Sequence, residues 1–283
     1  MANLLKGKEV VDKLNDELLA RSEKLAAAGN PPTLGILRLG ERPDDMAYER
    51  GALKRAEKTG VTVKQFIFDE NMSQDELISE IEKINKDNSI HGLLMFRPLP
   101  SHIDDEAVRN VLAPEKDVDG ITDGSMAGVY SGEDKGFPPC TAEACIEILD
   151  HYGIDVKGKN VAVIGRSQVI GKPVSMMLIK KNATVTVCHT KTENMASICK
   201  DKDVIIAAAG HKGTVTADFL SPGQTVIDVA INFDDEGNMC GDVDFPAAEP
   251  VVDAITPVPG GVGAVTTSML MKHVIEAAEK VGA

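Results

Sequence analysis

The chain has 283 residues, comfortable for two domains, with 43% hydrophobic and 26% charged residues, an ordinary profile with enough apolar side chains for a core. A formal net charge of −14 and the absence of tryptophan argue against nucleic acid, whose recognition needs basic patches and stacking aromatics. An anionic small ligand is still compatible with that charge, because a local cluster of cations acts within an acidic surface.

The first residues turn amphipathic at once and lack the apolar core of a signal peptide, and no stretch has the length of a membrane span. A cytoplasmic protein with no membrane partner is expected. Residues 8–28 have helical periodicity through Val10, Val11, Leu14, Leu18, Leu19 and Leu25. A buried strand is predicted over 32–40 and a helix over 43–59, closed by Gly60. A strand at 61–68 precedes a helix at 73–87 with Ser73 as its N-cap. HGLLMF (91–96) is a further strand, stopped by Pro98-Leu99-Pro100. The Gly-, Asp- and Ser-rich stretch 119–136 reads as a loop crossing between domains. Thr141 is placed as N-cap of a helix running to about His151. A second alternation starts at Asn160: strand 160–165, helix 171–181, strand 183–188, helix 192–199, then strands 203–210 and 224–231. A final helix is predicted over 265–281. The alternation implies an α/β fold with mainly parallel sheets. Five cysteines without a close C-x-x-C pair argue against a zinc site or disulfide framework, so no metal is expected.

VAVIGRSQVIGKP places Gly165 at a strand end and Gly171 at a helix start. The spacing is G-x5-G, so the generic G-x-G-x-x-G fingerprint fails. A tight glycine turn into a helix whose first N–H groups are free still suits a phosphate. The next strand ends Val187-Cys188-His189-Thr190-Lys191 and lacks the carboxylate that usually holds an NAD ribose. Arg166 in the first turn suits a 2′-phosphate, which favours NADP. The alternative for Arg166 and Lys191 is ordinary surface charge.

GRSQVIGKP (165–173), PEKDVDG (114–120), PPCTAEA (138–144) and TPVPGGVGAVT (256–266) occur in the order found in the methylenetetrahydrofolate dehydrogenase/cyclohydrolase family. The chain resembles that family over nearly its whole length, with Ala142 where the family has proline. The resemblance implies two α/β domains around a cleft, the C-terminal one a doubly wound Rossmann-type parallel sheet. It assigns 1–138, joined by the helix 265–283, to a folate and catalytic domain, and 139–264 to an NADP-binding domain. Tyr48 and Asp119 would be catalytic. Tyr48, Phe96, Pro98, Asp119, Pro257, Gly260, Gly261 and Val262 would bind a tetrahydrofolate derivative. Gly165, Arg166, Ser167, Ile170, Gly171, His189, Thr190, Gly210 and Ile231 would bind NADP. Asp119 would offer two acceptors to an aminopyrimidine edge, although by itself it reads as an Asx-turn residue. DVAIN (228–232) carries Ala230 where the family has glycine. A homodimer is implied.

Two departures concern the family's cyclohydrolase step. The lysine four residues after the tyrosine is replaced by Ala52, and the glutamine before PLP is replaced by Phe96, within Phe96-Arg97-Pro98-Leu99-Pro100. Lys54 should lie about 200° around the helix from Ala52. Arg55 is near the Tyr48 face but stays protonated. Arg97 should face away from Phe96 if the strand extends that far. The reading is a dehydrogenase with weak or absent cyclohydrolase activity. A bifunctional enzyme and a non-catalytic binder of NADP or folate are the alternatives.

Overall fold

The computed structural model describes residues 1–281. In chain order the elements begin with β1 (Asn3–Leu4), α1 (Gly7–Ala27), β2 (Thr33–Leu39), α2 (Pro43–Thr59), β3 (Thr62–Phe68), α3 (Gln74–Lys86) and β4 (Gly92–Met95). Next come α4 (Asp105–Arg109), α5 (Asp123–Ser131), α6 (Cys140–His151), β5 (Asn160–Ile164), α7 (Gly171–Lys180), β6 (Thr184–Cys188), α8 (Met195–Lys200) and β7 (Val204–Ala207). The chain continues through β8 (Thr225–Asp228), β9 (Asn232–Phe233), β10 (Met239–Cys240), α9 (Phe245–Ala248), β11 (Ala254–Ile255) and α10 (Val262–Val281). Residues 282 and 283, the end of the expected final segment, lie outside the described residues.

Two compact units emerge. The first comprises Lys13–Cys140 and the chain from Thr267 onward. Its sheet is parallel in the order β3-β2-β4. Every residue of β2 is buried, as on a central parallel strand, including Arg38, whose charge is paired with Glu49. Leu37, Leu39, Leu77, Ile81, Ile84, Leu93 and Met95 form its core. Pro43 opens α2 and Gly60, at φ 69°, closes it. Ser73 and Glu76 form a reciprocal capping box on α3.

The second unit comprises Met1–Asp12 and Thr141–Thr266. Its six strands run β1-β11-β8-β7-β5-β6, all parallel, with β9 and β10 a separate antiparallel pair. Residues 1–12 belong to this unit, where β1 adds to its sheet beside β11.

Some expectations change. The stretch 119–136 contains α5, opened by the Thr122 hydroxyl accepting from Ser125 N (3.1 Å) and closed by Gly132 at φ 75°. Thr141 is not an N-cap, since α6 already includes Cys140. The last helix starts at Val262, before 265, and α8 starts at Met195 rather than 192. No helix among the described residues is long and apolar enough to cross a membrane.

Candidate active site

In the first unit, the loop Asp117–Gly120 is held from four sides. Asp117 is fully buried, and its carboxylate accepts the backbone N–H groups of Ile121 (3.0 Å) and Thr122 (2.8 Å). Val118 packs onto Gly92 of β4, where an added Cβ would lie 2.9 Å from Val118 Cγ2 and nearer still to Cγ1. Gly120 has φ 64°, and a Cβ there would meet Pro139 N at 2.5 Å. The Val118 carbonyl accepts from His273 Nδ1 (2.7 Å) and from the Cys140 thiol (3.2 Å). These constraints present Asp119, which is half-buried. Desolvation pushes its carboxyl up to about 6, against hydrogen bonding from Cys140, with Asp117 raising it and His273 lowering it.

Tyr48 on α2 meets Phe96 edge to face, with ring centroids 5.9 Å apart at 82°. Burial, followed by the nearby Asp119 and Cys140, holds its phenol well above the usual tyrosine value. It is therefore a neutral hydroxyl that both donates and accepts, not a base. Ala52, one turn on, has no exposed surface. Lys54 is exposed. Arg55 donates to Asn15 Oδ1 (2.9 Å) and Thr267 Oγ1 (3.4 Å). The condition on Arg97 fails, because β4 ends at Met95 and strand alternation no longer applies at residues 96 and 97. Arg97 Nε donates to Asp105 Oδ1 (2.7 Å), and its charge is further favoured by Asp119 and Asp117. Phe96 and Pro98, with Leu39, Arg42, Asp45 and His102, line a pocket of about 300 Å³. Arg42 Nη1 donates to the Pro98 carbonyl at 2.7 Å.

In the second unit, Gly165 ends the β5 segment at φ 132°, where a Cβ would overlap the Ala208 carbonyl. A Cβ on Gly171 would lie 2.5 Å from Gly165 C. The turn therefore closes only with glycine at both places. The first donors of α7 are not free as expected. Ser167 Oγ accepts from Ile170 N (3.1 Å) and Gly171 N (3.4 Å), Ser167 O accepts from Lys172 N (3.0 Å), and Pro173 has no N–H. Among the described residues, the N–H groups of Arg166, Ser167, Gln168 and Val169 have no acceptor, so the loop rather than the helix offers donors. The Arg166 and Thr190 side chains are exposed. His189 N donates to Thr192 Oγ1 (2.9 Å), and His189 Nδ1 accepts from Lys191 N (3.2 Å). No carboxylate occurs between Cys188 and Thr192.

The segment 256–261 in the same unit is tight: a Cβ on Gly261 would lie 2.6 Å from Pro257 O, and Gly260 has φ 102°. Pro257, Gly260, Gly261, Val262, Ala230 and Ile231 line a pocket of about 280 Å³. Asp242 supports its surroundings. Its buried carboxylate accepts from Ala209 N (2.6 Å), Gly210 N (3.0 Å), His211 N (2.7 Å) and Asn232 Nδ2 (3.0 Å). It thereby ties the loop of Gly210 to the residue after Ile231.

Asp117, Cys140, His273 and Asp242 were not singled out by sequence reasoning. Only a weak signal existed for His273, which sits beside Lys272 in the otherwise apolar segment Met269–Ile275, and none sets Asp242 apart from Asp244 two residues on. No cluster of three or more His, Cys, Asp or Glu able to hold a metal occurs among the described residues.

Comparison with known proteins covers both units. Residues 5–119 match the model of the tetrahydrofolate dehydrogenase/cyclohydrolase catalytic domain, and residues 139–282 that of the NAD(P)-binding domain of the same enzymes. The chain is 49% identical over 274 residues to the bifunctional protein FolD of Clostridioides difficile, covering 97% of this chain and 96% of the relative. The crystal structure of the FolD enzyme of Campylobacter jejuni is similar at a TM-score of 0.95 and 35% identity, over 99% of each chain. The Trypanosoma brucei FolD, crystallised with NADP cofactor and inhibitor, is similar at 0.90 and 33% identity, over 99% of this chain and 98% of that one.

Proposed function

The chain belongs to the tetrahydrofolate dehydrogenase/cyclohydrolase family, and from that premise we propose that it runs the family's dehydrogenase reaction and releases the methenyl product unhydrolysed. The enzyme is an NADP-dependent methylenetetrahydrofolate dehydrogenase. The observation that carries the loss of hydrolysis is the pair Ala52 and Phe96: the first is sealed in the core, and the second turns a hydrocarbon ring onto Tyr48. Hydrolysis of a methenyl group needs an activated water, and neither position offers a polar atom to hold one.

The glycine turn fits NADP. The Gly165–Gly171 approach leaves no room for side chains, the N–H groups of 166–169 have no acceptor among the described residues, and Arg166 stands where a 2′-phosphate has no competing carboxylate. Ser167, Ile170, His189, Thr190, Gly210 and Ile231 complete the proposed set. NADP supplies the hydride acceptor when bound. On the folate, Asp119 accepts the aminopyrimidine N–H groups through its two oxygens, while Tyr48, Phe96 and Pro98 pack on the substrate and exclude water. Pro257, Gly260, Gly261 and Val262 are assigned to the substrate as well. Hydride removal from the methylene carbon needs orientation rather than an acid or base, so it survives the loss of lysine and glutamine. The same reading makes the enzyme a cytoplasmic homodimer without nucleic-acid or membrane partners.

The test is restoration. Ala52→Lys with Phe96→Gln should create measurable hydrolysis of the methenyl product. A folded double variant, active as a dehydrogenase and without any hydrolysis, counts against the assignment. A second reading, a bifunctional enzyme, is favoured by the name of the Clostridioides relative and by Asp119, whose carboxyl at about 6 is suited to a base.

A further inference from the structure

The imidazole of His273 is almost wholly buried on α10. Burying such a ring is costly unless its nitrogens are satisfied. Nδ1 lies 2.7 Å from the Val118 carbonyl, which can only accept, so Nδ1 carries the proton. The ring stacks on Phe137, with centroids 4.9 Å apart at 28°. Phe137 lies two residues before Pro139, the residue that Gly120 packs against. His273 therefore braces the Asp117–Gly120 loop directly at a carbonyl and indirectly through the segment beside it.

We infer that His273 is a positioning residue that fixes Asp119 by holding the peptide between Val118 and Asp119. One effect follows from the geometry. The Val118–Asp119 peptide plane cannot rotate while its oxygen is bonded, and rotating it would swing the Asp119 side chain. The Cys140 thiol, with Sγ 3.2 Å from the same carbonyl, donates to its second lone pair, so His273 and Cys140 hold that oxygen together. This role rests on the reading of Asp119 as the pterin-binding carboxylate.

The experiment compares three variants by steady-state kinetics, with KM for methylenetetrahydrofolate and KM for NADP measured separately. His273→Leu should raise the folate KM about tenfold, the scale of one buried hydrogen bond, and leave the NADP KM unchanged. His273→Asn puts an amide N–H where Nδ1 stands and should recover most of the loss. If the leucine variant does not fold, His273→Met gives the same contrast. Asp119→Asn separates the two ideas. A raised folate KM there beside an unchanged one in His273→Leu overturns the role of His273 alone, as does an asparagine variant no better than leucine. An unchanged folate KM in Asp119→Asn overturns the Asp119 assignment and this inference with it.

Discussion

Gly92 is the residue through which the packing of β4 reaches the proposed folate site. Gly92→Ala places a methyl 2.9 Å from Val118 Cγ2 and closer to Cγ1, where ordinary contacts begin near 3.4 Å. Val118 has no exposed surface, and its carbonyl is tied to His273 and Cys140, so the side chain has no free direction in which to retreat. Overpacking of this kind costs about 1–3 kcal/mol of stability. The displacement also passes to the adjacent Asp119, and a misplacement of about 1 Å at a substrate-orienting group lowers turnover by up to about 100-fold. The expected result is a folded enzyme whose kcat/KM for methylenetetrahydrofolate falls by about 10- to 100-fold while its KM for NADP is unchanged. Wild-type kinetics in Gly92→Ala would refute the argument that Val118 transmits packing to Asp119.

Gly165→Ala combines a φ of 132° with overlap on the Ala208 carbonyl. A strain of roughly 1–3 kcal/mol should raise the NADP KM about tenfold or more with the folate KM intact, and an unaltered NADP KM would remove the turn from the cofactor site. The Asp119 carboxyl at about 6 sets a pH dependence, because the charged form accepts both pterin donors. kcat/KM for the folate should be level above pH 6 and fall below it, and a profile flat to pH 5 would exclude Asp119 from binding. The stability linkage has the opposite sign: a raised native value means that Asp119 favours folding below the usual carboxylate range and loses that contribution as pH rises through about 6. Glu49 on α2 receives Arg38 Nε (2.9 Å) and the Gln65 amide, with Arg38 and Glu49 both nearly inaccessible. Glu49→Ala leaves a buried guanidinium and should cost about 3–5 kcal/mol in urea unfolding, largely recovered by leucine at both positions. A loss below about 1 kcal/mol would show the pair to be solvated.

How much of this could be read in the residues depended on whether the controlling contacts were local. β2 and β5 were legible because buried parallel strands are dominated by apolar residues, Arg38 being the charged exception in β2, and α3 because Ser73 and Glu76 announce a cap three residues apart. α5 was not, because its Gly- and Ser-rich composition carries no apolar stripe and its start depends on one hydroxyl, that of Thr122. β1 is only two residues long and exists because β11 accepts it. The site divides the same way. Lys116 to Gly120 form a contiguous motif, visible at once by resemblance. Its support is not contiguous: His273 reaches Val118 across 155 residues, and Asp242 reaches Ala209 across 33. The expectation that helix α7 would present its own N–H groups missed that Ser167, four residues before Gly171, captures Gly171 N with its hydroxyl and Lys172 N with its carbonyl.

The most direct test of the central claim is a stoichiometry. Purified enzyme is given methylenetetrahydrofolate and NADP, and reduced cofactor and methenyl product are followed separately by absorbance. The account predicts methenyl accumulating one for one with NADPH. NADPH rising while methenyl fails to build up would mean that water is activated in this site despite Ala52 and Phe96, and the claim would be wrong.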